Sequence, residues 1–307
     1  MVTRGGDFDM GRTYSNHTKG DYIFDIVNTT LLILVLLIVL YPLIFVVSAS
    51  FSDPLEILDG KVWLLPKGFT LEGYKRVFSN NDIMTGYKNT IIYTLLGTFV
   101  NLVMTIAGAY PLSRKDFYGR NIIMLLFTFT MFFSGGLIPT YLIIRKLNMV
   151  NKIWVLVLPG AVSMYNLIIT KTFFQSTIPL ELQEAAVIDG CSNIKILLKI
   201  VLPLSIPIIA VMTIFYGVAH WNAFFDALIY ITDRKKFPLQ LILREILIQN
   251  QMDEMMNSDI ENLAQQMMMA EVIKYAVVIV ASVPVLMLYP FLQKYFVKGV
   301  MIGAIKG

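Results

Sequence analysis

Residues 179–203 read Pro-Leu-Glu-Leu-Gln-Glu-Ala-Ala-Val-Ile-Asp-Gly-Cys-Ser-Asn-Ile-Lys-Ile-Leu-Leu-Lys-Ile-Val-Leu-Pro. This is a polar island between two long apolar segments, and its spacing predicts two short helices outside a membrane, joined to a membrane helix. Pro179 suits a first helical turn, and Glu181 close behind it complements the positive end of the helix dipole. Gly190 supplies the left-handed residue that closes a helix. Ser192 is placed to cap a second helix running toward Pro203, where a further span is expected to begin. Leu180, Glu184 and Ile188 are spaced by four and share a face. Ala185 and Ala186 beside them leave room for another backbone to approach. A carboxylate among apolar and small residues suits a socket with one polar anchor, so the segment reads as a docking element.

The composition supports a membrane setting. The chain of 307 residues is 56% hydrophobic and 15% charged, with a mean hydropathy of +0.67, above the range of soluble domains. Six stretches, 26–52, 89–113, 121–144, 153–170, 201–225 and 275–293, contain no Asp, Glu, Lys or Arg. Crossing ~30 Å of hydrocarbon takes about 20 mostly apolar residues, so six crossings are expected, the fourth reaching comfortably only as 151–174. The apolar run of the first is too long for a secretory signal, despite Ser48-Ala49-Ser50. The expected organisation is a tail over 1–22, one all-α transmembrane domain over 23–298 and a tail over 299–307. Within it lie the polar loop 177–203 and two long loops, about 52–88 and 233–272, on the face opposite the termini. The Lys and Arg residues divide almost evenly between the two faces, so charge alone does not orient the chain. The single Cys191 excludes an internal disulfide framework. No His, Cys or carboxylate group has metal-ligand spacing. The Met-rich runs at 252–256 and 265–269 are expected on a helix lying over the bundle or against a partner.

Glu184-Ala185-Ala186, three residues, Gly190, nine residues, Ile200, one residue and Leu202-Pro203 together resemble the EAA motif of the permease subunits of ATP-binding-cassette importers. The resemblance covers about residues 22–307. Ile138-Pro139-Thr140-Tyr141, the run from Asn151-Lys152-Ile153-Trp154 to Leu158-Pro159, and Trp221-Asn222 followed by Ala227-Leu228 look like the carbohydrate branch, near the smaller inner-membrane maltose permease. Ser134-Gly135-Gly136-Leu137 and the ending Gly299-Val300-Met301-Ile302-Gly303-Ala304-Ile305-Lys306-Gly307 look like a subgroup handling larger or modified oligosaccharides.

The resemblance implies a type I importer permease fold of six transmembrane helices with cytoplasmic EAA coupling helices. It puts the chain in a bacterial plasma membrane as a multi-pass protein, both termini cytoplasmic. It implies a second homologous permease, two ATPase subunits that bind ATP and Mg, and an extracellular sugar-binding protein that delivers an oligosaccharide. Coupling would fall to Glu184, Ala185, Ala186, Gly190, Leu202 and Pro203. The chain itself is expected to be non-catalytic and to bind no cofactor, since no G-x-x-x-x-G-K-[ST] occurs. Sugar recognition needs hydroxyl-binding groups and aromatic faces, and intramembrane polar residues tend to face the bundle interior. Trp221, Asn222, Asp226, Tyr165 and Asn166 are the expected substrate-pathway residues, with Asn101, Ser134 and His220 as further candidates. Asn222 and Asp226 are expected to share one helical face. The alternative is an ion-coupled secondary transporter or channel, which calls for paired intramembrane charges or repeated broken helices. Asp226 is the one clear acidic candidate inside an expected span, and no repeat is visible.

Overall fold

The structure is a computed structural model that describes residues 18–256, 273–287 and 290. Most of the N-terminal tail, the methionine run at 265–269 and the 299–307 ending lie outside these residues. Helix α1, Lys19–Ser50, opens with a reciprocal cap in which Asp21 Oδ2 accepts from the Thr18 N–H at 2.7 Å and Thr18 Oγ1 accepts from the Asp21 N–H at 3.3 Å. Its 32 residues reach ~48 Å at 1.5 Å per residue, ample for a bilayer. The helix is exposed as far as Leu43, half-buried at 44–46 and buried at Ser48, Ala49 and Ser50. There the small side chains are sewn to the following loop. Ser48 Oγ donates to the Leu64 carbonyl at 2.6 Å, Ser50 Oγ pairs with Tyr74 Oη at 2.8 Å, and Ser52 Oγ accepts from the Lys67 N–H at 3.0 Å. The small-residue triplet is thus a packing corner.

Two short helices, α2 (Pro54–Leu58) and α3 (Glu72–Ser79), lead to α4 (Asn81–Ser113), whose first turn Asn80 caps through its side-chain oxygen. The next elements are α5 (Arg120–Phe132), α6 (Leu137–Lys146), α7 (Trp154–Val157) and α8 (Met164–Thr177). The polar island forms α9 (Leu180–Ile188) and α10 (Asn193–Ile196), a π-helical segment Leu197–Val201 and α11 (Leu202–Leu204). Then follow α12 (Ile206–Trp221), α13 (Phe225–Tyr230), α14 (Leu239–Met256) and α15 (Ile273–Met287).

Among the described residues, α1 and α4 alone are single helices long and apolar enough to cross a membrane. Two expected spans are bent pairs instead. The stretch 121–144 is divided at 133–136 and bent by 114°, because Gly136 takes φ 84° and Pro139 follows in the first turn of α6. The span expected from 201 begins only at Ile206, after an 83° bend at Ser205. Pro203 and Pro207 lack the N–H groups that would carry one continuous ladder through it. The stretch 153–170 is likewise divided, at 158–163 around Pro159 and Gly160, into α7 and α8.

Helix α4 is the axis of the bundle and packs against α8, α12 and α14. Gly86, Gly97 and Gly108 recur every eleven residues along it, about three turns, and so lie on one stripe. At Gly86 the neighbours are Leu239 and Ile242 of α14, at Gly97 the His220 ring of α12, and at Gly108 Leu167 of α8. Each partner helix therefore meets α4 where a side chain is missing. A Cβ at Gly97 would lie 2.4 Å from the His220 ring, whereas one at Gly217 would have its nearest neighbour at 3.8 Å. Gly97→Ala is expected to destabilise the fold by about 1–3 kcal/mol through overpacking, read as a lower melting temperature of the detergent-purified protein, with Gly217→Ala unchanged.

Candidate functional site

The helix order puts two polar regions at opposite ends of α12. At its N-terminal end stands the docking element. Helix α9 closes in a Schellman arrangement: Gly190, at φ 72°, donates to the Val187 carbonyl at 3.0 Å, and Cys191 donates to the Ala186 carbonyl at 2.9 Å. Ser192 Oγ accepts from the Lys195 N–H at 3.4 Å to start α10. Ala186, Ile196 and Val201 are buried and join one core cluster with Ala109, Leu167, Phe174 and Met212 of the bundle, against which Cys191 also packs. The opposite face is bare. Glu184, Ala185 and Gly190 are exposed, and beside them Ile188 is 85% exposed and Ile194 71% exposed. Leu202 is half-buried and Pro203 exposed. The element thus has one face fixed in the core and one apolar face, with a carboxylate in it, unpartnered among the described residues. The neighbouring corner is pinned by Arg114, which grips both oxygens of Asp116 at 2.8 and 2.6 Å and donates to Tyr110 Oη at 3.2 Å. That bidentate pairing holds the Asp116 carboxyl below the usual carboxylate range.

Midway along the bundle, Asn101 is 1% exposed and makes two short contacts. Its Nδ2 donates to the Gly160 carbonyl at 2.6 Å, and its Oδ1 lies 2.6 Å from His220 Nε2. A carboxamide oxygen only accepts, so the ring nitrogen facing it carries the proton. Tyr216 Oη meets Thr105 Oγ1 at 2.6 Å and accepts from the Ser163 N–H at 3.3 Å. Asn101 and Tyr216 therefore serve the non-helical backbone at 158–163, where helix hydrogen bonds are missing.

At the far end of α12 the expected substrate residues separate. Trp221 is buried, donates through Nε1 to the Ala281 carbonyl at 3.0 Å and meets Tyr87 edge-on at 6.0 Å. Tyr87 Oη donates to the Val280 carbonyl, which the missing N–H of Pro284 leaves without its helical partner. Trp221 thus acts as wall and brace. Asn222 and Asp226 do not share a helical face, because α12 ends at Trp221 and α13 starts at Phe225. Asn222 is exposed, donates back to the Val218 carbonyl at 2.9 Å and accepts from Gln240 Nε2 at 3.4 Å. Asp226 lines a cavity of about 20 Å³ with Tyr93 and His220, room for about one water. Tyr165 is exposed, Asn166 buried and Ser134 exposed.

The rim above is held by residues that composition did not single out. Asn151, at φ 60°, donates its N–H to the Tyr230 carbonyl at 2.8 Å, and its side-chain oxygen accepts from the Thr232 and Asp233 N–H groups at 3.3 and 3.1 Å. Asn89 Nδ2 donates to the Lys235 and Phe237 carbonyls at 2.8 and 3.0 Å. Arg234 bridges Asp82 at 2.9 Å and Glu245 at 3.0 Å. The signals were available: Asn151 sits before Trp154 in a turn, and Asn89 opens a charge-free stretch. Their partners lie 79 or more positions away. Among the described residues no group of three or more His, Cys, Asp or Glu side chains gathers.

With this geometry in place, likeness to known proteins is specific. A family model for the binding-protein-dependent transport system inner membrane component matches residues 83–302. Protein LplC of Bacillus subtilis (strain 168) is 41% identical over 292 residues, 95% of this chain and 98% of its own. The polygalacturonan/rhamnogalacturonan transport system permease protein YtcP of the same organism is 41% identical over 286 residues, 93% and 99%. A chain from the crystal structure of a bacterial ABC transporter involved in the import of the acidic polysaccharide alginate superposes with a TM-score of 0.82 at 32% identity, over 92% of this chain and 99% of that one.

Replacing one member of the Asn101–His220 pair strands the other. Asn101→Leu is expected to cost about 1–3 kcal/mol of stability, measured by thermal unfolding in detergent, and the double variant with His220→Phe to recover part of that loss.

Proposed function

The chain belongs to the family of binding-protein-dependent transport system inner membrane components, and from that membership we propose that it is the transmembrane permease subunit of an ATP-driven importer of oligosaccharides. Membership implies ATPase and substrate-binding-protein partners. Our finer reading adds a second, homologous permease, two ATPase subunits carrying ATP and Mg, and a bacterial plasma membrane with both termini cytoplasmic. We count six crossings: α1, α4, the bent pair α5–α6, the divided pair α7–α8, α12 and α15.

The observation that carries the proposal is the two-faced docking element. Exposed apolar residues on a polar loop signal a partner surface, and Ile188 and Ile194 flank Glu184 on the side that the described residues leave open. The coupling residues are Glu184, Ala185, Ala186, Gly190, Leu202 and Pro203. Ala185 is exposed to admit the partner's surface, Ala186 instead seats the element in the core, Glu184 offers a single anchor, and Gly190 holds the angle between α9 and α10. Because Ala186 and Ile196 are seated in the bundle core, a push on α9 reaches α12 through the π segment and α11 as a rigid displacement. Closure of the ATPase dimer would in this way switch the cavity between inward- and outward-facing states. The substrate, delivered from outside, passes the polar groups at the far end of α12: Asn222 and Asp226 present oxygens there, Tyr165 lies nearer the cytoplasmic half, and Trp221 and Asn166 form wall. The oligosaccharide class is supported by the relatives named above.

Two measurements test this. Affinity purification of the tagged chain from native membranes should bring down a second permease and an ATPase. Recovery of this chain alone, still transporting without ATP after reconstitution, would sink the proposal. The double variant Glu184→Lys with Gly190→Val should insert normally yet lose oligosaccharide uptake and co-purification of the ATPase, while Gly190→Asn, which tolerates the left-handed conformation, should keep both.

A further inference from the structure

A groove of about 470 Å³ opens between the end of α12, α14 and α15, lined among others by Phe224, Gln240, Leu243, Arg244, Val278 and Ser282. Its volume falls within the range of ligand pockets, roughly 300–1,000 Å³. It lies at the end of α12 away from the docking element, and the sixteen residues between span ~24 Å, most of a bilayer. If the docking element is cytoplasmic, this groove faces the side from which substrate arrives.

The charges around it are distributed unevenly. Arg234 is committed to Asp82 and Glu245, Lys236 to Asp233, and both groups stabilise the rim. Arg244 is exposed and forms no ion pair among the described residues. Its guanidinium instead lies over the Phe224 ring, 5.5 Å from the centroid. Stacking on an aromatic face orients the planar group and leaves its in-plane N–H donors free. Those donors match the two oxygens of a carboxylate. Around them Gln240, hydrogen-bonded to Asn222, and Ser282 offer partners for hydroxyls, and Leu243, Val277, Val278 and Ala281 offer apolar surface for the C–H faces of a sugar ring.

We infer that Arg244 and Phe224 form a carboxylate-recognising subsite, so that the transported oligosaccharide carries uronic acid residues. The inference rests on the importer reading above and adds to it the charge of the substrate and the residue that selects it. Arg244 binds the carboxylate, Phe224 is the positioning residue that presents the guanidinium, and the amide and hydroxyl neighbours read the sugar's hydroxyl groups.

The test is ATP-dependent uptake by the native complex of two matched probes, trigalacturonate and its fully methyl-esterified form, in which methyl groups cap and neutralise the carboxylates. The wild type should take up trigalacturonate in preference to the ester. Arg244→Gln should lower the ratio of charged to neutral uptake about tenfold or more, the scale of a charge-assisted pair. Arg244→Lys, a point charge without the fork, should fall between. Co-purification of the partner permease with each variant reports assembly, independent of uptake. An unchanged ratio in Arg244→Gln overturns the subsite, as does loss of the partner permease from that variant, which would make the groove a subunit interface. Wild-type uptake of the ester or of other neutral oligosaccharides, but not of trigalacturonate, overturns the inference and leaves the importer standing. Absence of ATP-dependent uptake of any oligosaccharide overturns both.

Discussion

Backbone polar groups that leave a helix inside a membrane have no water to turn to, and this constraint decides how the bundle is built. The chain breaks its helices repeatedly at buried depth, and the broken backbone is served by side chains from elsewhere. The carbonyl of Gly160 is taken by Asn101 and the N–H of Ser163 is accepted by Tyr216. The Val280 carbonyl, which Pro284 deprives of a helical partner, is taken by Tyr87. The donors and acceptors come from α4 and α12, the two helices in closest mutual contact. Removing any of them leaves an orphaned peptide group, not merely a hole.

That scheme separates two tasks by distance. Under the proposed function the end of α12 near α9 is the mechanical surface, exposed and apolar outward but anchored in the core. The other end is chemical, with amides, a stacked guanidinium and paired rim charges. Between them α12 is a single uninterrupted strut of sixteen residues, bent only at Ser205 where it leaves the docking element. In the proposed coupling, this one helix would carry a displacement from one end to the other.

Much of the docking end was legible in the sequence, because its signals are local. The offsets of Gly190 and Ser192 report cap chemistry that the next few residues complete, and the structure carries both as read. Apolar length, by contrast, reports only that a stretch avoids charge. It does not distinguish a straight helix from the 114° bend at 133–136 or from the break at 158–163, although Gly135-Gly136 and Pro159-Gly160 marked both places. The expected shared face of Asn222 and Asp226 failed for the same reason: periodicity was continued through a point where the helix stops. Trp221 looked like a recognition residue because it is aromatic and polar-tipped, yet its indole N–H serves a main-chain carbonyl 60 positions away. Long-range partnerships of this kind leave no trace at short spacing.

The eleven-residue glycine stripe on α4 also bears on which sequences can inherit this architecture. Each glycine is matched to one opposing group: Gly86 to Ile242 and Leu239, Gly97 to the His220 ring, Gly108 to Leu167. A lineage that enlarges the residue at 97 must shrink the one at 220, and with it give up the proton donor that Asn101 accepts. Positions 97, 101 and 220 are thereby bound into one evolutionary unit, whose members change together or not at all, while 86 and 108 each drift with a different helix.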